Sequence, residues 1–113
     1  MMITLPWPPS SLSPNARQHY MALARARKAY RTECWYQAHQ QGLRKIDATQ
    51  LHLSIEFVPP SRRAFDLDNC LARIKSGLDA LADITGVDDR HWSLTIRRAD
   101  EIGGMVRVSV EAA

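Results

Sequence analysis

The most constraining feature of this 113-residue chain is a run of apolar residues that repeats with the period of an α-helix. Its members are Leu67, Leu71, Ile74, Leu78 and Leu81. Residues three and four positions apart share one face of a helix, so this spacing gives a continuous apolar stripe. The run predicts an amphipathic helix from about 68 to 83 that packs its stripe against a core.

Four shorter segments alternate apolar and other residues, as strands buried on one face do. They are residues 3–7, 51–57, 92–96 and 106–110. Gly103 and Gly104 lie between the last two segments and are expected to turn a β-hairpin. A long helical pattern lies between the first two segments, from Asn15 to Gly42, where glycine suits a helix end.

The apolar face of this first helix is predicted to hold five residues, Tyr20, Leu23, Tyr30, Cys34 and Ala38. The resulting order of elements is β-α-β-α-β-β. It predicts an α+β fold with a mixed or antiparallel four-stranded sheet and two helices over one face. The length suits one small domain that covers residues 1–113.

Other features of the sequence favour a cytoplasmic protein without a membrane partner. No segment approaches the roughly 18 consecutive apolar residues of a membrane span, and the first residues lack the pattern of a secretory signal. The two cysteines, Cys34 and Cys70, have no metal-ligand spacing. We therefore expect them to be reduced and largely buried thiols.

Charge is divided unevenly along the chain. Residues 1–63 carry nine Lys or Arg against three Asp or Glu, whereas residues 64–113 carry six against nine. A basic part beside an acidic cluster suits a protein that holds a polyanion next to a bound cation. On the first helix, Arg27, Lys28 and Arg31 form a basic face, where repulsion is relieved if an anion lies over it. The alternative is that these residues form an ordinary solvated helix face, which has the same composition.

Carboxylates stand at both ends of the second predicted helix. Asp66 and Asp68 precede it, and alternation along extended backbone is expected to project both the same way while Leu67 turns toward the core. Asp68 also suits the helix N-cap. Asp88 and Asp89 follow in the next loop. Clustered carboxylates repel unless a cation offsets their charge, and an oxygen-only set favours Mg²⁺, with Mn²⁺ as the alternative.

Lys75 adds a cation to the same helix. It lies about 20° from Asp68 around the helix axis, with the small Ala72 between them. Such a lysine is expected to reach back toward the helix start, where it can neutralise charge on a bound phosphate. It is equally placed to pair with Asp79 four residues on, an ordinary contact of helix surfaces. The two roles are compatible.

Taken together, these motifs resemble the hallmark of the RusA family of Holliday junction resolvases. "RAFDLDN" contains the D-x-D-N element, "KSGLDAL" the lysine and the D-A-L element, and "VDD" the closing acids. The opening "LPWPPS" is similar to the family's first strand and loop, so the likeness covers most of the chain. Two details differ: the lysine follows Asn69 after six residues rather than three, and Ala64 and Phe65 interrupt the arginines before the first acid.

The resemblance implies a single endonuclease domain that acts as a homodimer, binds four-way DNA junctions and nicks two opposed strands with Mg²⁺. It assigns the metal to Asp66, Asp68 and Asp89, with Asp88 as the substitute, and a catalytic role to Lys75. The expected contacts to the DNA backbone are Arg62, Arg63, Arg27, Lys28 and Arg31. Because a helix of about 24 Å separates Asp89 from the first acids, Asp89 belongs either to its own chain's site or to the partner's.

A non-catalytic dimer that binds branched DNA is the alternative, since it would need the basic surface but not the acids. Phosphatases of the haloacid dehalogenase type also use a D-x-D pair, but there the pair ends the first strand. A D-x-D glycosyltransferase would need a nucleotide-sugar domain for which this chain is too short.

Overall fold

Residues 1–113 are described by a computed structural model, in which four strands form one mixed sheet with helices over one face. The strands are β1 (Met2–Pro6), β2 (Leu51–Val58), β3 (Trp92–Arg98) and β4 (Met105–Ala112). The helices are α1 (Tyr20–Gln40), α2 (Leu67–Arg73) and α3 (Lys75–Thr85), with short 3₁₀ helices at Ser10–Leu12 and Asp89–His91. The predicted α+β class is confirmed.

The sheet has the strand order β1-β4-β2-β3. β4 pairs antiparallel with both β1 and β2, whereas β3 runs parallel to β2 along its other side. Alternate residues of the central strands face the helices, and Leu53, Ile55 and Val108 are fully buried there. The alternation in the sequence follows from this arrangement, because only one face of the sheet is covered.

The predicted hairpin between β3 and β4 is wrong, because β2 lies between these two strands. Gly103 and Gly104 instead donate their backbone N–H groups to the carbonyls of Pro59 and Val58, at 2.8 and 3.0 Å. The connection therefore crosses the end of β2 rather than closing a tight turn. Gly104 has a φ of 76°, a conformation that glycine adopts without strain.

α1 begins at Tyr20 rather than at Asn15, and Tyr20 is 74% exposed, so its predicted place on the apolar face is wrong. The ring of His19 accepts a hydrogen bond from the N–H of Met21 at 3.2 Å and thereby caps the helix start. A side chain in this first turn is too near the helix end to reach the core. The later members of the predicted face lie as expected: Tyr30, Cys34 and Ala38 are buried.

The second predicted helix is interrupted at Ile74, which divides it into α2 and α3. All five residues of the apolar stripe still join the core or pack against it. The interruption lets each half follow its own neighbours, because α3 packs along α1 while α2 contacts β3 and the 3₁₀ helix near residue 11. Gly77 permits the close approach of α3, since a Cβ there would lie 2.9 Å from side-chain atoms of both Tyr30 and Cys34.

The cysteines are free and buried, as predicted. Burial raises the pKa of Cys34 to about 12 and also raises the pKa of Cys70, so neither thiol is activated for nucleophilic chemistry. None of the helices combines the length and the apolar character that a membrane crossing requires.

Candidate functional site

The first two acids, called here the acidic pair (Asp66 and Asp68), stand at the start of α2. Both are exposed, and Leu67 between them packs against the core, as expected. The N-cap position belongs to Asp66 and not to Asp68, so that prediction is wrong, and the Asp66 side chain makes no capping hydrogen bond. Asp68 lies within the first helical turn. Neither carboxylate forms an ion pair, so their oxygens are open to a ligand.

The N-terminal loop holds α2 in place behind the acidic pair. The side-chain amide of Asn69 donates a hydrogen bond to the hydroxyl of Ser13 at 3.1 Å. At the other end of α2, the guanidinium of Arg73 donates to the carbonyl of Pro8 at 2.5 Å and lies 5.9 Å from the ring centre of Trp7. The proline-rich opening of the chain therefore fixes the helix that carries the acids.

A second group, called here the lysine cluster, consists of Lys75, Asp79 and Asp89. The Nζ of Lys75 donates to one carboxylate oxygen of Asp79 and to one of Asp89, each at 2.6 Å. Both hydrogen bonds raise the pKa of Lys75, and the bond to Asp79 has the larger effect. The hydrogen bond from Lys75 in turn lowers the pKa of Asp89. Lys75 therefore points toward the following turn and the next loop, not back toward Asp68 as expected.

Asp89 reaches Lys75 because the chain reverses after α3. Gly86 ends the helix in the left-handed region, with a φ of 77°, and Val87 is buried beside the core. The carboxylate of Asp88 then accepts a hydrogen bond from the N–H of Arg90 at 3.0 Å and caps the 3₁₀ helix. This places Asp88 in a structural role and turns Asp89 toward α3.

Asp89 returns far enough to meet Lys75 but does not join the acidic pair. No group of three or more His, Cys, Asp or Glu side chains of this chain lies close enough to hold a metal ion. The donor chemistry of the predicted set suits Mg²⁺, because all its ligands are carboxylate oxygens. The placement of these carboxylates within a single chain does not suit the metal, because Asp89 is bound to Lys75 and not grouped with Asp66 and Asp68.

The predicted basic residues of α1 border the lysine cluster. Arg27, Lys28 and Arg31 are all exposed. Arg27 lines a cavity of about 340 Å³ together with Lys75 and Asp79. Arg31 lines a wider depression of about 440 Å³ next to it, which Asp79 and Asp89 also border. Lys28 lines neither, so two of the three predicted cations lie over the lysine cluster.

The other predicted cations, Arg62 and Arg63, lie in the exposed loop before α2 and line a cavity of about 210 Å³. The same cavity is lined by Arg98, whose guanidinium lies 5.1 Å from the ring centre of Phe65. Sequence reasoning missed Arg98. It reaches this loop because β3 runs parallel to β2 and sets Arg98 opposite Phe57, at the end from which the loop departs.

Comparison with known proteins finds a similar sequence but does not indicate a function. No family model matches the chain. An uncharacterized protein of Xylella fastidiosa (strain Temecula1) is 41% identical over 93 residues, which amount to 80% of this chain and 61% of that protein. The chain therefore spans less than two thirds of the length of this relative.

Proposed function

We propose that this protein is a Mg²⁺-dependent, structure-specific DNA endonuclease of the RusA type. It would act in the cytoplasm as a homodimer and resolve four-way junctions by paired, symmetric nicks. One observation carries the proposal: Lys75 and Asp89, which the motif order assigns to one active site, meet at 2.6 Å although they are 14 positions apart in the sequence. Arg27 and Arg31 of α1 lie beside them.

The metal ligands are proposed to come from two subunits. Asp66 and Asp68 of one protomer offer unpaired oxygens, and the third carboxylate would be Asp89 of a second copy, because Asp89 does not reach them within its own chain. When bound there, Mg²⁺ supplies Lewis-acid stabilisation of phosphate charge and acidifies water. A two-fold dimer would offer two such sites to a junction of nearly two-fold symmetry.

The arginines have a separate role in this proposal, which is to hold the DNA backbone. Arg62, Arg63 and Arg98 line a cavity at the loop that leads to the acidic pair, while Arg27 and Arg31 border the lysine cluster. Cations around both acidic regions would attract phosphates to the places where the reacting bond must lie. Binding of this kind depends strongly on salt and little on base sequence.

The direct test is nicking of a labelled four-way junction and of a linear duplex of equal length, each with Mg²⁺ and with a chelator. We expect paired nicks in the junction only, dependent on the metal. Asp66→Asn should bind the junction without nicking it, and Asp47→Asn, which changes an exposed acid outside the motifs, should nick normally. Metal-independent nicking, or nicking by Asp66→Asn, would contradict the proposal.

The second candidate is a non-catalytic dimer that binds branched DNA. The pairing of Lys75 with both Asp79 and Asp89 favours it, because the three side chains largely satisfy one another's charge. The two candidates separate in one experiment. The binding protein would retard the junction in a gel with or without Mg²⁺ and leave every strand intact, and Asp66→Asn would then change nothing.

A further inference from the structure

The cavity between α1 and the start of α3 has a lining suited to an oxyanion. Its volume of about 340 Å³ is roughly ten times the ~30 Å³ share of one water molecule. Its charged lining consists of three cations, Arg27, Arg73 and Lys75, against one carboxylate, Asp79. Lys75 is paired with Asp79 and also with Asp89 beside the cavity, but an excess of positive charge remains, because neither Arg27 nor Arg73 forms an ion pair.

Two further features of this lining point to a missing hydrogen-bond partner. The hydroxyl of Ser76 and the Nε of Arg73 are both buried, and neither has a partner in the chain. Buried polar groups are paired in most proteins, so unpaired ones beside a cavity call for a ligand or an ordered solvent molecule. Ser76 lines the cavity, and a hydroxyl group can donate a hydrogen bond to an anionic oxygen.

The guanidinium of Arg73 is already ordered by contacts within the chain. One end of its guanidinium is fixed on the carbonyl of Pro8, and the group lies near the ring of Trp7. A guanidinium that is already ordered loses little freedom when it binds an oxyanion, and its planar donors match phosphate. Arg27 of α1 lines the same cavity, so a bound anion would be held from more than one helix.

We infer that this cavity, lined by Arg27, Arg73, Lys75 and Ser76, binds a single phosphate group of a nucleic-acid backbone. Its preference for an oxyanion rests on its own lining, while the identity of the ligand as nucleic acid rests on the proposed function. The inference adds Arg73 and Ser76 to the residues that the sequence motifs indicate. It also distinguishes one discrete site from general attraction to a basic surface.

Inorganic phosphate is the first probe. Titration of the ¹⁵N-labelled full-length protein, against chloride at equal ionic strength, should give saturable shifts of the amide signals of residues 72–79 and of those near Arg27. Arg27→Gln should weaken phosphate binding about tenfold or more, and Ser76→Ala about two- to tenfold, as expected for a charged and a neutral hydrogen bond. Arg25→Gln removes an exposed arginine of the same helix outside the cavity and should leave binding unchanged.

DNA is the second probe, measured as binding of the four-way junction over a range of salt concentrations. Arg27→Gln should lower the affinity and reduce the salt dependence by about one phosphate, while Arg25→Gln should do less. Phosphate shifts that do not saturate, or that persist unchanged in Arg27→Gln, would overturn the site. Loss of phosphate binding in Arg27→Gln without any effect on DNA would overturn nucleic acid as its ligand.

The two proposals fail separately. If inorganic phosphate occupies the cavity but the junction is never nicked, the endonuclease function is wrong and the anion site stands. If the junction is nicked but phosphate causes no saturable change, the site is wrong and the endonuclease stands. The folded state of each variant can be checked from its amide spectrum, so a variant that fails to fold is recognised directly.

Discussion

The two acidic regions of the molecule differ in what surrounds their carboxylates. Asp66 and Asp68 stand exposed at the start of a helix, without an ion pair or a side-chain capping hydrogen bond. Asp79 and Asp89 share one lysine, with both contacts at 2.6 Å. Exposed, unpaired carboxylates gain from a bound cation, whereas the second group already has one. The comparison indicates that the acidic pair is the open part of the proposed site, and the lysine cluster the part that must rearrange or meet a second copy.

The largest expected effect tests the open region. Replacing either acid of the pair, as Asp66→Asn or Asp68→Asn, should lower the nicking rate more than about 100-fold, because even outer partners of a metal are worth about 10–100-fold. Single-turnover cleavage of a four-way junction measures this. Junction affinity should stay near that of the unchanged protein, since phosphates and not metal ligands dominate binding. A variant that nicks at more than a tenth of the normal rate would refute the role of the pair.

The next effect tests whether the two regions complete one another across a dimer. Asp66→Asn and Asp89→Asn subunits should each be inactive alone. If Asp89 serves the partner's site, a mixed dimer has one intact site, and random mixing should restore about a quarter of the normal nicking. These products would be single nicks rather than paired ones.

Separation of the products on native and denaturing gels distinguishes single from paired nicks. A mixture as inactive as its components would show instead that Asp89 acts within its own chain. Mixing Asp66→Asn with Asp68→Asn is the matched control. Each protomer of that mixed dimer carries a damaged acidic pair, so neither site is intact and the dimer should stay inactive.

A smaller effect tests the packing that places α1 beside the lysine cluster. In Gly77→Ala the new Cβ would lie 2.9 Å from side-chain atoms of Tyr30 and Cys34, both buried. Overpacking costs about 1–3 kcal/mol, and the better helix propensity of alanine offsets up to about 1 kcal/mol of it. We expect a net loss of about 1–2 kcal/mol in the free energy of unfolding, measured by urea denaturation.

The double variant with Cys34→Ala sharpens this result. Cys34→Ala removes the Sγ of Cys34, one of the two atoms that the new Cβ would crowd. The two substitutions together should therefore lower the free energy of unfolding by less than the sum of their separate effects. Additive costs, or a Gly77→Ala protein as stable as the original, would mean that Gly77 does not set the distance between the helices.

The smallest effect is expected in the paired region. Asp79→Asn removes one of the two carboxylates bound to Lys75, whose side chain is 57% exposed. Exposed pairs at this helical spacing contribute about 0.3–0.5 kcal/mol, because solvent screens them and side-chain order opposes them. Urea denaturation at low and high salt measures the loss, which salt should reduce further. A loss above about 1.5 kcal/mol would show that the cluster is a structural anchor.

Local patterns in the sequence were sufficient to predict most of the elements. Each of these elements packs against the core with one face only, and this leaves a periodic pattern in its sequence. The alternation in residues 51–57 and the spacing of Leu67, Leu71 and Ile74 therefore predicted the right buried faces. Some predictions failed because a local pattern fits more than one structure. The Gly103-Gly104 pair resembled a hairpin turn, but its N–H groups bind the end of β2. Tyr20 fitted the helical period, but the helix begins there and leaves it exposed.

By itself, the sequence determined which residues are acidic, basic or apolar, and in what order along the chain, and this was enough to propose a class of chemistry. Only the tertiary structure decided which of these residues meet. The reversal after Gly86 brings Asp89 to Lys75, and the parallel strand β3 brings Arg98 to the loop of Arg62. Local period is encoded over a few residues, whereas contacts between distant residues depend on how every intervening element packs.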